Sequence, residues 1–190
     1  NYGVLEVGMD KKGEIDNLSK IIKPNVSVIT NINYAHAKNF KNIKSIALAK
    51  SEIIYNTRPK GYIVLNADDR FFKLHKTIAF KKNLKVISFG IKDQKSNICL
   101  KNIDRNGKYF LIKIEHDNLK KNFLISNNFQ SNIYNILGAI AVISIYFDIS
   151  KLNKNIFLNF EIPKGRGDIS RIKIMNKNIN LVDESYNSNP

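Results

Sequence analysis

Residues 1–90 alternate between short apolar runs and segments with helical periodicity. The apolar runs are Val4–Val7, Val26–Ile29, Tyr62–Leu65 and Val86–Phe89, and the helical patterns cover Ile15–Ile22 and Ile43–Tyr55. A continuous β-branched run such as Val26–Ile29 is typical of a strand that is buried on both faces. Strand–helix alternation at this spacing predicts an α/β fold built on a doubly wound, mostly parallel sheet.

The pattern changes in the middle of the chain, where short strands are joined by turn signals. Asn97–Asp104, Tyr109–Glu115 and Asn122–Ile125 have strand character, and Asn106-Gly107 separates the first two of them. Asn-Gly is a favoured two-residue turn of β-hairpins. We therefore predict a small antiparallel sheet of about three strands, inserted into the α/β body.

The last third of the chain begins with a nearly all-apolar helical segment, Ser131–Phe147, which we expect to be buried. A shorter helix over Leu152–Phe160 and a strand pair over Ile169–Met175 and Ile179–Val182 are predicted after it. The polar run Asp183–Pro190 follows directly on this pair. Such a run is either a frayed tail or a set of ligand-contacting groups at the carboxyl edge of a sheet.

The composition is that of an ordinary soluble globular protein, with 43% hydrophobic and 25% charged residues among 190. The longest apolar run, Ile136–Ile145, is shorter than the roughly 20 residues of a membrane span, so no span is predicted. A single cysteine, Cys99, excludes an internal disulfide framework and fits a reducing compartment. We expect a cytoplasmic protein.

The formal net charge of +15 raises the alternative of a nucleic-acid-binding domain. Lys, Asn and Ile are over-used throughout, however, and all three have A/T-rich codons. Basic residues form only pairs, such as Lys81-Lys82 and Lys120-Lys121, without interleaved aromatic residues. We predict no nucleic-acid partner, and a DNA shift assay at increasing salt concentrations would test this.

Two candidate metal ligands lie where predicted strands end. Glu6 precedes Gly8 at the end of the first apolar run, and His36 follows Val26–Ile29 in a strand-to-helix loop. A carboxylate at this edge can hold Mg²⁺ beside a nucleotide phosphate, but a solvated acid and a structural histidine are the alternatives. The other histidines, His75 and His116, have no such context and are expected at the surface.

Lys50 is out of place in the periodicity of its predicted helix. The apolar face of Ile43–Tyr55 comprises Ile43, Ile46, Ala47, Ile53 and Ile54. At about 100° per residue, Lys50 falls in the middle of that face. Such a lysine must snorkel, pair or lose its charge, and a neutral amine can add CO₂ to form a carbamate able to bind a metal.

Asn132 and Asn135 lie one helical turn apart at the start of the buried helix. Their amides suit the edge of an adenine ring, and helix capping by Ser131 or Asn132 is the alternative. Arg166, between Gly165 and Gly167, is suited to a phosphate. Gly3 and Gly8 have the glycine spacing of a phosphate-binding loop, but Met9-Asp10 stands where Lys-Ser/Thr is required.

Taken in order, these stretches resemble the Mur ligases, the ATP-dependent amide-bond ligases of peptidoglycan synthesis. The resemblance rests on Glu6–Ile15, Asn31–His36, Ala49–Ile54, Val64–Asp69, Asn132-x-x-Asn135, Gly165–Gly167 and Asp183–Pro190. The terminal Asp-Glu-Ser-Tyr-Asn-Ser-Asn-Pro run and Gly13-Glu14-Ile15 are most similar to the branch that adds D-alanyl-D-alanine. One departure is Phe129-Gln130-Ser131 before Asn132, where the family usually has Gly-x-His.

The resemblance implies a role for each candidate. Glu6 and His36 would ligate Mg²⁺, and Lys50 would be a carbamylated lysine that supports a second Mg²⁺. ATP would be held by Asn132 and Asn135 at the adenine, Asp183 at the ribose and Arg166 at the phosphates. Tyr186, Asn187 and Asn189 would lie near the incoming dipeptide.

The resemblance also implies a domain organisation and a reaction. Residues 1–182 would form most of a central ATP-binding domain whose phosphate loop lies upstream of Asn1, and residues 183–190 a hinge into a carboxyl-terminal domain. The implied activity adds D-alanyl-D-alanine to a UDP-N-acetylmuramoyl-peptide through an acyl phosphate, in a monomeric enzyme. A diaminopimelate- or lysine-adding ligase and folylpolyglutamate synthetase are the alternatives within the superfamily.

Overall fold

The computed structural model describes residues 1–34, 39–126, 132–160, 165, 168–175 and 177–183. Its main feature is a six-stranded sheet whose spatial order follows the chain order. The strands are β1 (Val26–Ile29), β2 (Tyr62–Asn66), β3 (Lys85–Gly90), β4 (Ile98–Asn106), β5 (Tyr109–His116) and β6 (Leu119–Ser126). Neighbours from β1 to β4 are parallel, which confirms the predicted α/β class.

The three antiparallel strands predicted in the middle of the chain continue this sheet. β4 pairs with β3 in parallel at Phe89↔Ile98 and Gly90↔Cys99, and then with β5 in antiparallel register. β5 and β6 are paired along their full length. The antiparallel strands are therefore an extension of the parallel sheet, joined to it through the short β3–β4 pairing.

Helices cover both faces of the sheet. They are α1 (Glu14–Ile22), α2 (Ile43–Lys50), α3 (Glu52–Asn56), α4 (Phe72–Lys81) and α5 (Ile133–Ile143). Side chains of β2 alternate between two cores, because successive residues of a strand point to opposite faces. Ile63 and Leu65 join the core that includes residues of α1 to α4, whereas Val64 joins the core beneath α5. This is the doubly wound arrangement expected from the sequence.

The predicted strand Val4–Val7 does not form. Residues 1–9 have no strand pairing, and Val4 is 96% exposed. An extended segment becomes a strand only when a neighbouring strand accepts its backbone hydrogen bonds. The prediction that β1 is buried on both faces is also wrong, because β1 lies at the sheet edge and Val28 is 36% exposed.

Local polar chemistry overrides helical periodicity at two further places. The predicted helix Leu152–Phe160 is instead a series of turns, in which Asn155 N donates to Asn153 Oδ1 at 2.9 Å. Short polar side chains compete in this way for backbone donors. The predicted helix Ile43–Tyr55 is divided at Ser51 into α2 and α3, and Ser51 Oγ donates to the Leu48 carbonyl at 2.6 Å.

The final strand pair is confirmed as an antiparallel ribbon, β7 (Asp168–Ile174) and β8 (Lys177–Asp183). Ile174, Ile179 and Leu181 of this ribbon are all more than 40% exposed. Across the described ranges, no helix is long and apolar enough to cross a membrane.

Candidate functional site

Two adjoining cavities meet at the segment that follows β1. The larger, of about 1050 Å³, is lined among others by Glu6, Gly8 and Lys50. The smaller, of about 500 Å³, is lined among others by Asn135 and by the residues that follow β2. Thr30 and Asn31 line both cavities and form the boundary between them. The structure thus brings Glu6 and Lys50 to one cavity and Asn135 to its neighbour.

Lys50 ends α2 and is half-buried, as its position on the apolar face predicts. Its Nζ donates to the carbonyl oxygen of Asn31 at 3.1 Å. Burial lowers the pKa of Lys50 below its ordinary value, and the negative charge of Asp69 opposes this shift. Burial therefore favours the neutral amine, which is the form that can act as a nucleophile.

Asp69 contacts the same segment from the opposite side. Its Oδ2 accepts a hydrogen bond from Ile32 N at 2.8 Å, and its Oδ1 accepts one from Phe71 N at 2.7 Å. The second bond stabilises the turn that leads into α4. The first fixes the chain after β1 against the end of β2, at the wall of the smaller cavity.

Asp68, the neighbour of Asp69, also lines the smaller cavity and forms hydrogen bonds there. Its carboxylate accepts hydrogen bonds from the amides of Ile91, Lys92 and Asp93 at 2.7, 2.9 and 2.8 Å. The hydroxyl of Tyr134 donates to Asp68 Oδ2 at 2.9 Å. We call these groups the Asp68 cluster. It joins the end of β2, the loop after β3 and the first turn of α5.

The pKa values within the Asp68 cluster follow from these contacts. Burial raises the pKa of Asp68, but the three amides and Tyr134 outweigh it, so the pKa lies below its ordinary value. Burial and the Asp68 carboxylate raise the pKa of Tyr134 to about 12. Tyr134 therefore remains a hydrogen-bond donor, and Asp68 an acceptor, throughout the neutral range.

Asn132 and Asn135 are in contact, as their spacing predicts. Asn135 Nδ2 donates to Asn132 Oδ1 at 3.0 Å, at the start of α5. Asn132 is the N-cap residue, but its side chain makes no capping hydrogen bond. Asn135 also lines the smaller cavity. These contacts do not support the capping alternative for Asn132.

The remaining candidates divide into two groups. Asp183 ends β8 opposite Asp168 and is not among the described residues that line either cavity. His36, Arg166, Tyr186, Asn187 and Asn189 lie outside the described residues, and their roles stay predictions. In the described part of the chain, no three His, Cys, Asp or Glu side chains gather into a metal-binding group.

His75 is not at the surface as predicted. It is 2% exposed on α4, and its Nε2 lies 3.1 Å from the Ala47 carbonyl oxygen of α2. Burial lowers its pKa below the ordinary value, although the Ala47 carbonyl and Asp69 oppose the shift. This ring is buried by contacts that form only in the tertiary structure, so a lone histidine in the sequence does not reveal it.

Comparison with known proteins identifies the family. The model of the Mur ligase middle domain matches residues 1–143. The chain belongs to the Mur ligase family. Among curated relatives, the UDP-N-acetylmuramoyl-tripeptide–D-alanyl-D-alanine ligase of Buchnera aphidicola subsp. Baizongia pistaciae is 31% identical over 99% of this chain. The chain spans only 40% of that relative's length.

Solved Mur ligase structures have the same fold. Crystal structure I of MurF from Acinetobacter baumannii matches with a TM-score of 0.81 and 24% identity, covering 97% of this chain and 39% of its own. MurF ligase from Thermotoga maritima, solved in complex with ADP, matches with a TM-score of 0.74 and 23% identity. That match covers 95% of this chain and 40% of the other.

The donor chemistry at the larger cavity fits a Mg²⁺ site in part. Mg²⁺ takes oxygen ligands, and Glu6 supplies a carboxylate at the cavity wall. The Lys50 amine is not itself an oxygen ligand, but its carbamate would be. The lowered pKa of Lys50 is consistent with formation of that carbamate, because CO₂ reacts with the neutral amine.

Sequence reasoning missed Asp68, Asp69 and Tyr134 as site residues of this Mur ligase domain. The available signal was two consecutive carboxylates after the apolar run of β2. Adjacent acids at the end of a buried strand must either be solvated or accept hydrogen bonds. Here both accept backbone hydrogen bonds from elsewhere in the chain.

Proposed function

We propose that this chain is the ATP-binding part of a ligase that adds D-alanyl-D-alanine to UDP-N-acetylmuramoyl-tripeptide. The observation that carries this proposal is the pair of adjoining cavities, with Glu6 and Lys50 in one and Asn135 in the other. In this proposal the first cavity would hold Mg²⁺ beside the phosphates, and the second would take the base against its amide side chain. The D-alanyl-D-alanine ligase relative from Buchnera supports the choice of substrates.

In the proposed reaction, a carboxylate oxygen of the tripeptide attacks the γ-phosphorus of ATP, and ADP leaves. The amine of D-alanyl-D-alanine then attacks the carbonyl carbon of the acyl phosphate. Phosphate leaves with the bonding electron pair, the amine loses a proton, and an amide bond remains. The chain's contribution is positioning and electrostatic stabilisation, which dominate phosphoryl transfer in general.

The proposed ligand contacts follow the two cavities. Asn135 and Asn132 would meet the adenine, Asp183 the ribose and Arg166 the phosphates. Glu6, His36 and carbamylated Lys50 would hold Mg²⁺, which when bound neutralises charge on the transferring phosphoryl group. The Asn31 carbonyl would orient the Lys50 side chain, to which it is already hydrogen-bonded at 3.1 Å.

The proposed organisation places residues 1–182 in a central domain and residues 183–190 in a hinge, with Tyr186, Asn187 and Asn189 near the incoming dipeptide. We propose that the enzyme is a cytoplasmic monomer. A D-alanyl-D-alanine ligase must present its second substrate to the acyl phosphate. The part of the enzyme that does so would follow the hinge.

The test is an assay of phosphate release by the full-length protein. Release should require ATP, Mg²⁺, UDP-N-acetylmuramoyl-tripeptide and D-alanyl-D-alanine together. Release that depends on a single amino acid, or on glutamate and a folate, would instead indicate one of the other amide ligases. A full-length reading frame without a Gly-Lys-Ser/Thr loop upstream of Asn1 would contradict the proposal.

A further inference from the structure

Two neighbouring carboxylates at the smaller cavity form hydrogen bonds with different parts of the chain. Asp68 and Asp69 both follow β2 and both line the cavity. Asp68 binds the loop after β3 and Tyr134 of α5, whereas Asp69 binds the Ile32 amide after β1. Each carboxylate therefore joins the end of β2 to a different wall of the cavity.

We propose that Asp68 and Asp69 are positioning residues that together set the shape of the site for the nucleoside part of the bound nucleotide. The inference rests on the proposed function, since it assigns the smaller cavity to the nucleoside. About 500 Å³ falls within the size range of small-molecule sites. Neither carboxylate needs to touch the ligand for this role, because each acts through groups that line the cavity.

Asp68 fixes the wall that carries Asn135. Asp68 accepts a hydrogen bond of 2.9 Å from the hydroxyl of Tyr134, and Tyr134 directly precedes Asn135 in α5. Its three bonds to backbone amides hold the loop of residues 91–93, so α5 and this loop are held by one carboxylate. Gly90 is packed against this contact, because a Cβ there would lie 2.8 Å from Ser96 Oγ and 3.3 Å from Asp68 Oδ1.

Asp69 fixes the opposite wall. Asp69 accepts a hydrogen bond from the amide of Ile32, which belongs to the segment of residues 30–34 that lines the cavity. A carboxylate suits this task better than an amide, because Asp69 accepts from Ile32 N and Phe71 N on its two oxygens. An asparagine has a single acceptor oxygen and would leave one of these donors unpaired.

The test measures ADP binding to the full-length protein by calorimetry for the wild type and for Asp68→Asn, Asp69→Asn and Tyr134→Phe. We expect the Kd for ADP to rise about tenfold in the two asparagine variants and about fivefold in Tyr134→Phe, the usual size of a lost hydrogen bond. Tyr62→Phe is the matched control, because Tyr62 is at the other end of β2, where its hydroxyl accepts a hydrogen bond from Lys85 Nζ at 3.3 Å. Its Kd should be unchanged.

Inorganic tripolyphosphate is the second probe, since it lacks the nucleoside. Its inhibition of the enzyme should be the same in all variants if the carboxylates act on the nucleoside site. Equal weakening of ADP and tripolyphosphate, or a lowered melting temperature with an unchanged Kd for ADP, would overturn the inference. A wild-type protein that binds no ADP would overturn the proposed function itself. Tyr134→Phe removes one oxygen only and keeps the test available if the asparagine variants fail to fold.

Discussion

Lys50 and Asp69 hold opposite sides of one peptide group. Lys50 Nζ donates to the carbonyl of Asn31 at 3.1 Å, and Asp69 Oδ2 accepts from the amide of Ile32 at 2.8 Å. That carbonyl and that amide belong to the same peptide bond. A donor at the carbonyl oxygen and an anionic acceptor at the N–H reinforce each other through the peptide dipole. The boundary between the two cavities is thereby fixed by the side chains of Lys50 and Asp69.

Replacing Lys50 by alanine should abolish the ligase activity of the full-length protein. We expect a loss of about 100-fold or more, because the proposed carbamate would hold the Mg²⁺ that neutralises charge on the transferring phosphoryl group. Short carboxylates such as formate or acetate should restore part of the activity by occupying the space of the carbamate. Steady-state phosphate release measures both effects.

Lys44→Ala is the matched control for this experiment, since Lys44 is an exposed lysine of the same helix. Its activity should stay within about twofold of the wild type, as is usual for surface changes. Unchanged turnover in Lys50→Ala would refute the carbamate role.

His75 should make the stability of the fold depend on pH in the weakly acidic range. Its folded pKa lies below the ordinary value because of burial, so the unfolded chain binds the proton first as pH falls. The stability that neutral His75 contributes is fully present above about pH 6.5, the pKa of histidine in the unfolded chain. It is lost as the pH falls through the lower pKa of His75 in the folded protein.

The measurement is urea unfolding of the wild type and of His75→Gln between pH 5 and 8. Glutamine can still donate to the Ala47 carbonyl, so we expect stability within about 1 kcal/mol of the wild type at pH 8. The stability of His75→Gln should fall less steeply toward pH 5 than that of the wild type. Parallel pH profiles for the two proteins would show that His75 does not contribute this dependence.

Gly90→Ala should destabilise the fold by about 1–3 kcal/mol, the usual cost of overpacking. The new Cβ would lie 2.8 Å from Ser96 Oγ, which is itself bonded to the Asp93 carbonyl at 2.8 Å. Thermal or urea unfolding measures the change. Gly3→Ala is the control, because no atom lies within 4 Å of its new Cβ. Equal stability of the two variants would contradict the close packing at Gly90.

The 190-residue chain alone should show no ligase activity, in contrast to the activity that we expect of the full-length protein. The chain spans about 40% of the curated relative from Buchnera, and the proposed phosphate loop and dipeptide site lie outside it. Phosphate release by the two proteins, assayed at equal concentration with all substrates, checks this. Turnover by the short chain would show that residues 1–190 hold a complete site.

The sequence was most informative where structure depends on neighbouring residues. Period-two and β-branched runs located β1 to β6 to within a few residues, and the apolar period located α5. The same local rule failed at Val4–Val7, which has strand composition but no pairing partner in the structure. It failed again at Leu152–Phe160, where asparagine side chains compete for backbone donors.

The sequence by itself determined the α/β class, the order of the six strands of the main sheet and the unusual position of Lys50, because helical and strand periods are properties of consecutive residues. Only the tertiary structure decided that β4 continues the parallel sheet, that His75 is buried and that Asp68 and Asp69 reach different walls of one cavity. These features join residues such as Asp68 and Tyr134, which are far apart in the chain. Their energies arise from burial and hydrogen bonding between distant segments, which no local pattern encodes.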